Sequence, residues 1–254
     1  MNFNETTRLW EFKYWHPAVT TDAVIFGYDQ EEKSLQILLI RRAKAKPGEQ
    51  GAFEGYWALP GGFLKVNEPT DECVKRELME ETYMNIFDND TRLSPEFIEQ
   101  LHTFSGLDRD PREYVMTVAY YALVKKDKYK IRGGDDAAEA RWFPVNELPE
   151  NLAFDLAEII RMAIERLRMK IHFSPIGFHL LDESFTLAQL KSIYEVILDT
   201  TLDRGNFRKK MLALKYIRPT GKKDTGHAHR SADFYSFEEE AYNHSKKIGM
   251  HLEF

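Results

Sequence analysis

The chain has 254 residues, 43% hydrophobic and 13% aromatic, which excludes a disordered polymer and leaves material for one large core or two small ones. One cysteine, Cys73, excludes an internal disulfide framework, and apolar runs such as "ILLI" (37–40) fall far short of the ~20 residues of a membrane span. The N-terminus shows no basic stretch leading into an apolar one, so a cytoplasmic protein with no membrane partner is expected. The net charge of −6 is uneven: residues 1–169 carry −8 and residues 170–254 carry +2.

"AVTTDAVIFGY" (18–28) and "SLQILLIRRA" (34–43), separated by the polar "DQEEK", predict two strands of an opening hairpin. "GYWALPGGFL" (55–64) is punctuated by Gly and Pro. "PTDECVKRELMEETYM" (69–84) predicts a helix, with Pro at the first turn and acids early. "EQLHTFSG" (99–106) and "EYVMTVAYYALV" (113–124) predict strands around the polar loop "LDRDPR", and "ARWFPVNELP" (140–149) a last strand and turn. In "AFDLAEIIRMAIERLRM" (153–169), Leu156, Ile159, Ile160, Ala163, Ile164 and Leu167 recur with helical period. The expectation is one α+β domain over 1–169.

Residues 170–254 form a second domain by pattern. After the apolar "PIGFHLL" (175–181), "TLAQLKSIYEVILD" (186–199) carries Leu187, Leu190, Tyr194 and Ile197 on one helical face. A short break precedes "RGNFRKKMLALK" (204–215), with Asp203 as cap and Phe207, Met211 and Leu214 as its apolar stripe. "YIRPTGKKDTGHAHRSADFYSF" (216–237) adds two aromatic arms around a basic tip. Within 204–230, nine Lys and Arg face Asp224 alone, +8 in 27 residues. Helix, turn, helix and basic hairpin outline a winged helix-turn-helix that would bind double-stranded operator DNA. Asn206 and Arg208 are side chains able to read base edges. Arg204, Lys209, Lys210, Lys222 and Lys223 suit phosphates, Thr186 and Gln189 the DNA backbone, and His229 and Arg230 an adjacent groove. His227 and His229 lack the carboxylate or Cys partners of a metal site. The same tail read as a protein-interaction module remains the alternative.

In "KRELMEETYMN" (75–85), Glu77, Glu80 and Glu81 stand at i, i+3 and i+4 on one helix face, where like charges repel unless a cation neutralises them. Such hard oxygen donors suit Mg²⁺ or Mn²⁺. Gly62, Glu68, Arg76, Glu77, Glu80 and Glu81 share the spacing of the Nudix box, and the chain resembles Nudix proteins. The resemblance implies an α/β/α sandwich with a mixed sheet, metal on the three glutamates, and Arg76 as their orienting group. It further implies a base from the loop after the box, with Glu139 preferred over Asp135 and Asp136. Tyr83 stands where the family has a helix-ending glycine, and Asn85 is expected to end the helix instead.

"HPAVTTDAVIF" (16–26), "WALPGGF" (57–63), "FSGLDRDPR" (104–112), "GDDAAEARWFPVNELP" (134–149) and "LAFDLAEII" (152–160), followed by the tail, are similar to Nudix-related transcriptional regulators of NAD metabolism. This implies a homodimer sensing ADP-ribose or, as in some relatives, a free sugar such as arabinose. Arg41, Arg42, Arg109 and Arg112 could hold phosphates, and Asp108 or Asp110 ribose hydroxyls, although each equally suits a surface ion pair. The alternative function is Mg²⁺-dependent hydrolysis of ADP-ribose to AMP and ribose 5-phosphate, alone or alongside regulation.

Overall fold

The computed structural model describes residues 2–6, 9–11, 14–45, 51–85, 98–134, 137–224 and 232–246. At its centre, β3 (Ala18–Asp29) runs parallel to β8 (Val115–Lys125), with Ala18 opposite Val115 and Tyr28 opposite Lys125. β4 (Ser34–Arg42) returns antiparallel to β3, and β7 (Ile98–Phe104) lies antiparallel on the far side of β8. β5 (Trp57–Ala58), β6 (Gly61–Phe63) and β9 (Ala137–Pro144) complete a seven-stranded mixed sheet ordered β5-β4-β3-β8-β7, with β6 on β3 and β9 on β4.

Residues 23–26 of β3 and 37–40 of β4 are consecutive apolar runs because both faces of the sheet are covered there. Ala23, Ile25 and Leu38 pack on one face with Val74, Leu78 and Met84, at or beside helix α1 (Thr70–Thr82). Val24, Phe26, Ile37 and Leu39 pack on the other with Ile159, Ile160, Ala163 and Leu167 of helix α2 (Leu156–Phe173). The sandwich expected from sequence is therefore present. Helix α2 starts three residues later than predicted and runs four residues further, until Ser174, made extended by Pro175, stops it.

Beyond a 3-10 turn at Ile176–Leu180 come β10 (Phe185–Thr186), α3 (Leu187–Leu198), α4 (Arg204–Ala213), β11 (Ile217–Asp224) and β12 (Ala232–Phe237), the last two antiparallel and β10 paired to β12. This is the winged helix-turn-helix. Its core, with Phe178, Leu190, Tyr194, Phe207 and Met211, is continuous with the α2 face of the large sheet. The two parts also meet through Lys125 and Asp182 at 2.6 Å and through Arg168, whose Nε donates to the Ile197 carbonyl at 3.1 Å.

The expected opening hairpin is not the first one: β1 (Asn2–Asn4) and β2 (Leu9–Glu11) pair before it. Helix α5 (Glu239–Lys246) was likewise not read from sequence. Strands of three residues and a short polar helix carry too few periods to register in a pattern of hydrophobicity. Among the described residues, no helix is long and apolar enough to cross a membrane.

Candidate ligand pocket and nucleic-acid interface

A cavity of about 530 Å³ opens at the Asp22 end of the sheet. It is lined by Arg42, Arg76, Arg109 and Arg112, by Asp22, Glu77, Glu80, Glu81 and Asp110, and by Phe63 and Phe154. Four guanidiniums beside aromatic faces in one cleft suit an anionic ligand with a planar group. The loop guanidiniums are already engaged. Arg109, its side chain 6% exposed, makes a paired contact with Asp155, Nε to Oδ2 at 3.0 Å and Nη2 to Oδ1 at 2.8 Å. Arg112 does the same with Asp110, at 3.0 and 2.8 Å, which holds the Asp110 carboxyl below its usual range against the opposing effect of its burial. Arg42 lies 5.1 Å from the centre of the Phe154 ring, and Arg112 lies 5.9 Å from it and 5.8 Å from the Phe63 ring.

On α1, Arg76 is the hub of the acidic face. Its Nε and Nη2 reach the two oxygens of Glu68 at 2.7 and 2.9 Å, and its Nη1 reaches Glu77 at 2.6 Å and Glu80 at 2.9 Å. The bond from Arg76 draws the Glu68 carboxyl down to about 2. Gly62 makes this possible: a Cβ there would stand 2.5 Å from a Glu77 carboxylate oxygen. Glu81 turns the other way, accepting from the Gly61 amide at 2.8 Å, and burial pushes its carboxyl well above 4.5, with Glu77 and Asp22 adding to the shift.

In the tail, Asp203 caps α4 by accepting from the Asn206 amide at 2.8 Å. Phe207 and Met211 are buried, while Arg204, Asn206, Arg208, Lys209 and Lys210 are exposed on the same helix. Lys222 and Lys223 are exposed on β11. The exposed side chains of α4 and β11 are thus strongly cationic. Thr186 does not join them: it is buried, and it and Gln189 are spent on a capping box, with Oγ1 of Thr186 accepting from the Gln189 amide at 3.2 Å and Oε1 of Gln189 accepting from the Thr186 amide at 2.8 Å. His227, His229 and Arg230 lie outside the described residues.

The Nudix domain family matches residues 16–163, and the family described as the NrtR DNA-binding winged helix domain matches residues 177–237. The chain belongs to the NrtR-type Nudix proteins. It is 31% identical over 233 residues, 91% of this chain and 86% of the relative, to the ADPR responsive transcriptional repressor NtrR of Acinetobacter baylyi. It is similar to Shewanella oneidensis NrtR complexed with a 27mer DNA, with 30% identity, a TM-score of 0.66, and coverage of 89% of this chain and 95% of that one. It is 39% identical over 148 residues, 58% of this chain and 73% of the relative, to an ADP-ribose pyrophosphatase of Methanocaldococcus jannaschii.

The residues singled out as a Nudix metal group do not converge on an open centre. Glu77 and Glu80 are held by Arg76, Glu81 faces Gly61, and no group of three acidic, His or Cys side chains among the described residues could hold a metal ion as they stand. Arg76, one residue before the first of them, is the cation paired with Glu77 and Glu80.

Tyr83 itself ends α1, in the left-handed conformation (φ 57°, ψ 19°) that a Nudix glycine would adopt, so Asn85 is not needed as a stop. The strain is matched by contacts: the Arg132 guanidinium sits 3.9 Å over the Tyr83 ring, and the ring lies so close to Gly134 that a Cβ there would be 2.4 Å from it. The loop is also tied by Gly134 N to Glu81 O at 3.0 Å and Arg132 N to Thr82 O at 3.3 Å.

Other site expectations fare unequally. Arg42, Arg109, Asp110 and Arg112 line the cavity. Arg41 and Asp108 are exposed and outside it, Arg41 donating to the Gly55 carbonyl at 3.3 Å. Glu139 is exposed on β9 opposite Arg41, also outside the lining, and Asp135 and Asp136 are not among the described residues. Sequence reasoning missed Asp22, Phe154 and Asp155. An acid inside the otherwise apolar run "AVTTDAVIF" was the available signal for Asp22, whose carboxyl burial raises while Arg109, 3.8 Å away, opposes.

Proposed function

We propose that the chain is an ADP-ribose-responsive transcriptional repressor whose domain 1–169 binds the ligand and whose domain 170–254 binds operator DNA. One observation carries this reading: an arginine-rich cavity and an exposed cationic helix and wing belong to two parts that share one continuous core. The likeness to the Acinetobacter ADPR responsive repressor over 91% of the chain supports the ligand and the sign of regulation. The likeness to NrtR complexed with DNA supports the partner. Arg42 and Arg112 would meet the diphosphate, Asp110 and Asp22 would accept ribose hydroxyls, and Phe154 or Phe63 would stack on the base. On α4, Asn206 and Arg208 would read base edges, with Arg204, Lys209, Lys210, Lys222 and Lys223 on phosphates. A homodimer in the cytoplasm would match the two halves of a palindrome.

The test is a gel shift on the DNA upstream of its own gene with increasing ADP-ribose. Retarded DNA that ADP-ribose releases is expected; retardation that arabinose but not ADP-ribose changes would move the protein to the sugar-sensing regulators.

A second reading is ADP-ribose hydrolysis with Mg²⁺ or Mn²⁺, favoured by the pyrophosphatase likeness and by Glu77, Glu80 and Glu81 all lining the cavity. In this reading Arg76, bonded to one oxygen of Glu77 and one of Glu80, orients the two carboxylates, and a metal would meet their other oxygens. Release of AMP and ribose 5-phosphate that Glu81→Gln abolishes would establish turnover; none at millimolar Mn²⁺ would leave a binder.

A further inference from the structure

Asp155 stands at the N-cap of α2, yet its side chain caps no helix amide; both its oxygens are given to Arg109 in the cavity wall. The residue before it, Phe154, has φ 52°, a conformation an aromatic side chain adopts only when its surroundings hold it there, and Arg42 and Arg112 cover its ring. The start of α2 is therefore held by the same guanidiniums that face a ligand. Further along it, 13 residues on and about 20 Å away at 1.5 Å per residue, Arg168 grips the last turn of α3, with Nε on the Ile197 carbonyl and Nη2 on Asp199 at 3.2 Å. Between α2 and α3 lies an open cavity of about 820 Å³, reaching from Ala157 to Arg168, so α2 is loosely packed on this side, while Ile159, Ile160, Ala163 and Leu167 hold its other face on the sheet.

We propose that Asp155 is a two-position switch and α2 the lever it moves. This rests on the reading of the cavity as an ADP-ribose site. An anionic ligand draws Arg109, Arg42 and Arg112 toward its phosphates. Asp155, losing its partner, turns onto the first turn of α2, competing there with the Ala153 and Asp155 carbonyls that the Leu156 and Glu158 amides now meet, and takes the ordinary place of an N-cap carboxylate. Phe154 relaxes with it, α2 moves along its axis, and Arg168 carries the movement to α3 and hence to the DNA-reading helix packed on it.

The experiment measures operator affinity of the full-length chain with and without saturating ADP-ribose. In the wild type the two affinities differ by a factor of about 5–150, the usual span of such couplings. Asp155→Asn can still cap the helix but loses the charge and the second oxygen of the paired contact with Arg109, so its ligand-free DNA affinity is expected within about twofold of that of the ligand-saturated wild type. Arg168→Ala, which touches neither site, is expected to bind ADP-ribose and DNA separately while the coupling factor falls to about one. Either variant behaving as wild type overturns the switch. A wild type indifferent to ADP-ribose would instead remove the repressor reading, and the switch with it. Should a variant not fold, amide exchange on the wild type decides: ligand must change protection in the first turn of α2 and the last turn of α3, and unchanged protection in either overturns the proposal.

Discussion

Glu68, eight positions before its partner Arg76, and Glu81, twenty positions after its partner Gly61, are box carboxylates with opposite electrostatic fates. Glu81 is buried with only the Gly61 amide to satisfy it, and its carboxyl lies well above 4.5. Its ionisation thus opposes folding: the cost is absent below about pH 4.5 and grows as pH rises toward the folded value. In the absence of metal, Glu81→Gln should raise Tm at pH 7 and leave it unchanged near pH 4. Glu68, drawn down to about 2 by Arg76, is the reverse case, because its contribution is present above 4.5 and lost as pH falls from 4.5 toward 2. Glu68→Gln should lower Tm at pH 7 and converge with the wild type near pH 2. Two-wavelength thermal melts across pH check both signs, and a Glu81→Gln chain less stable than wild type at pH 7 would contradict the buried-charge account.

Tyr83 sets strain against a contact at the same scale. Its left-handed backbone costs about 1 kcal/mol relative to glycine, while a guanidinium over an exposed ring is worth about 0.5–1 kcal/mol. Tyr83→Gly removes both and should change stability by less than about 0.5 kcal/mol; Tyr83→Ala keeps the strain, loses the stack, and should cost about 1 kcal/mol. Equal effects of the two in urea unfolding would show that the conformation is not strained. The spacing of Gly62, Glu68, Arg76 and the glutamates was legible because all lie within one helix and its approach. Asp22 and Asp155 were not, because Asp155 is 46 positions from Arg109 and only the fold brings that pair to Asp22.

Helices and strands of the two sheets were legible where hydrophobic period ran for two turns or more, and their ends were less so. Pro175 and the αL residues Tyr83 and Asp199 set ends that composition alone places a few residues off. The capping box at Thr186 shows the limit from the other side: "T-L-A-Q" read as exposed contacts is a structural cap. Thr186→Ala should cost about 1 kcal/mol of stability by chemical denaturation, with little specific effect on base reading. On α4, Arg208→Ala should cost about 1–3 kcal/mol on the specific site, whereas Lys222→Ala with Lys223→Ala should weaken specific and random DNA alike and flatten the salt slope by about 2. Fluorescence anisotropy over a salt series separates the two patterns, and a loss confined to the specific site in the lysine variant would contradict the assignment of the wing to phosphate.

At the scale of the molecule, the order of a Nudix unit followed by a winged helix was readable because each brings its own sequence pattern. What was not readable is that the two share a core, with α2 passing from the cavity wall to α3 and Lys125 and Arg168 bridging the parts. In this account the shared core is the route by which ligand and DNA binding are coupled, and linkage then requires each to change the other's affinity by the same factor. The most direct measurement is therefore calorimetric titration of ADP-ribose into the full-length chain, alone and saturated with operator DNA. The affinity for ADP-ribose should change by the same factor, within error, by which ADP-ribose changes the affinity for DNA. Identical ADP-ribose affinities in the two titrations would contradict the account.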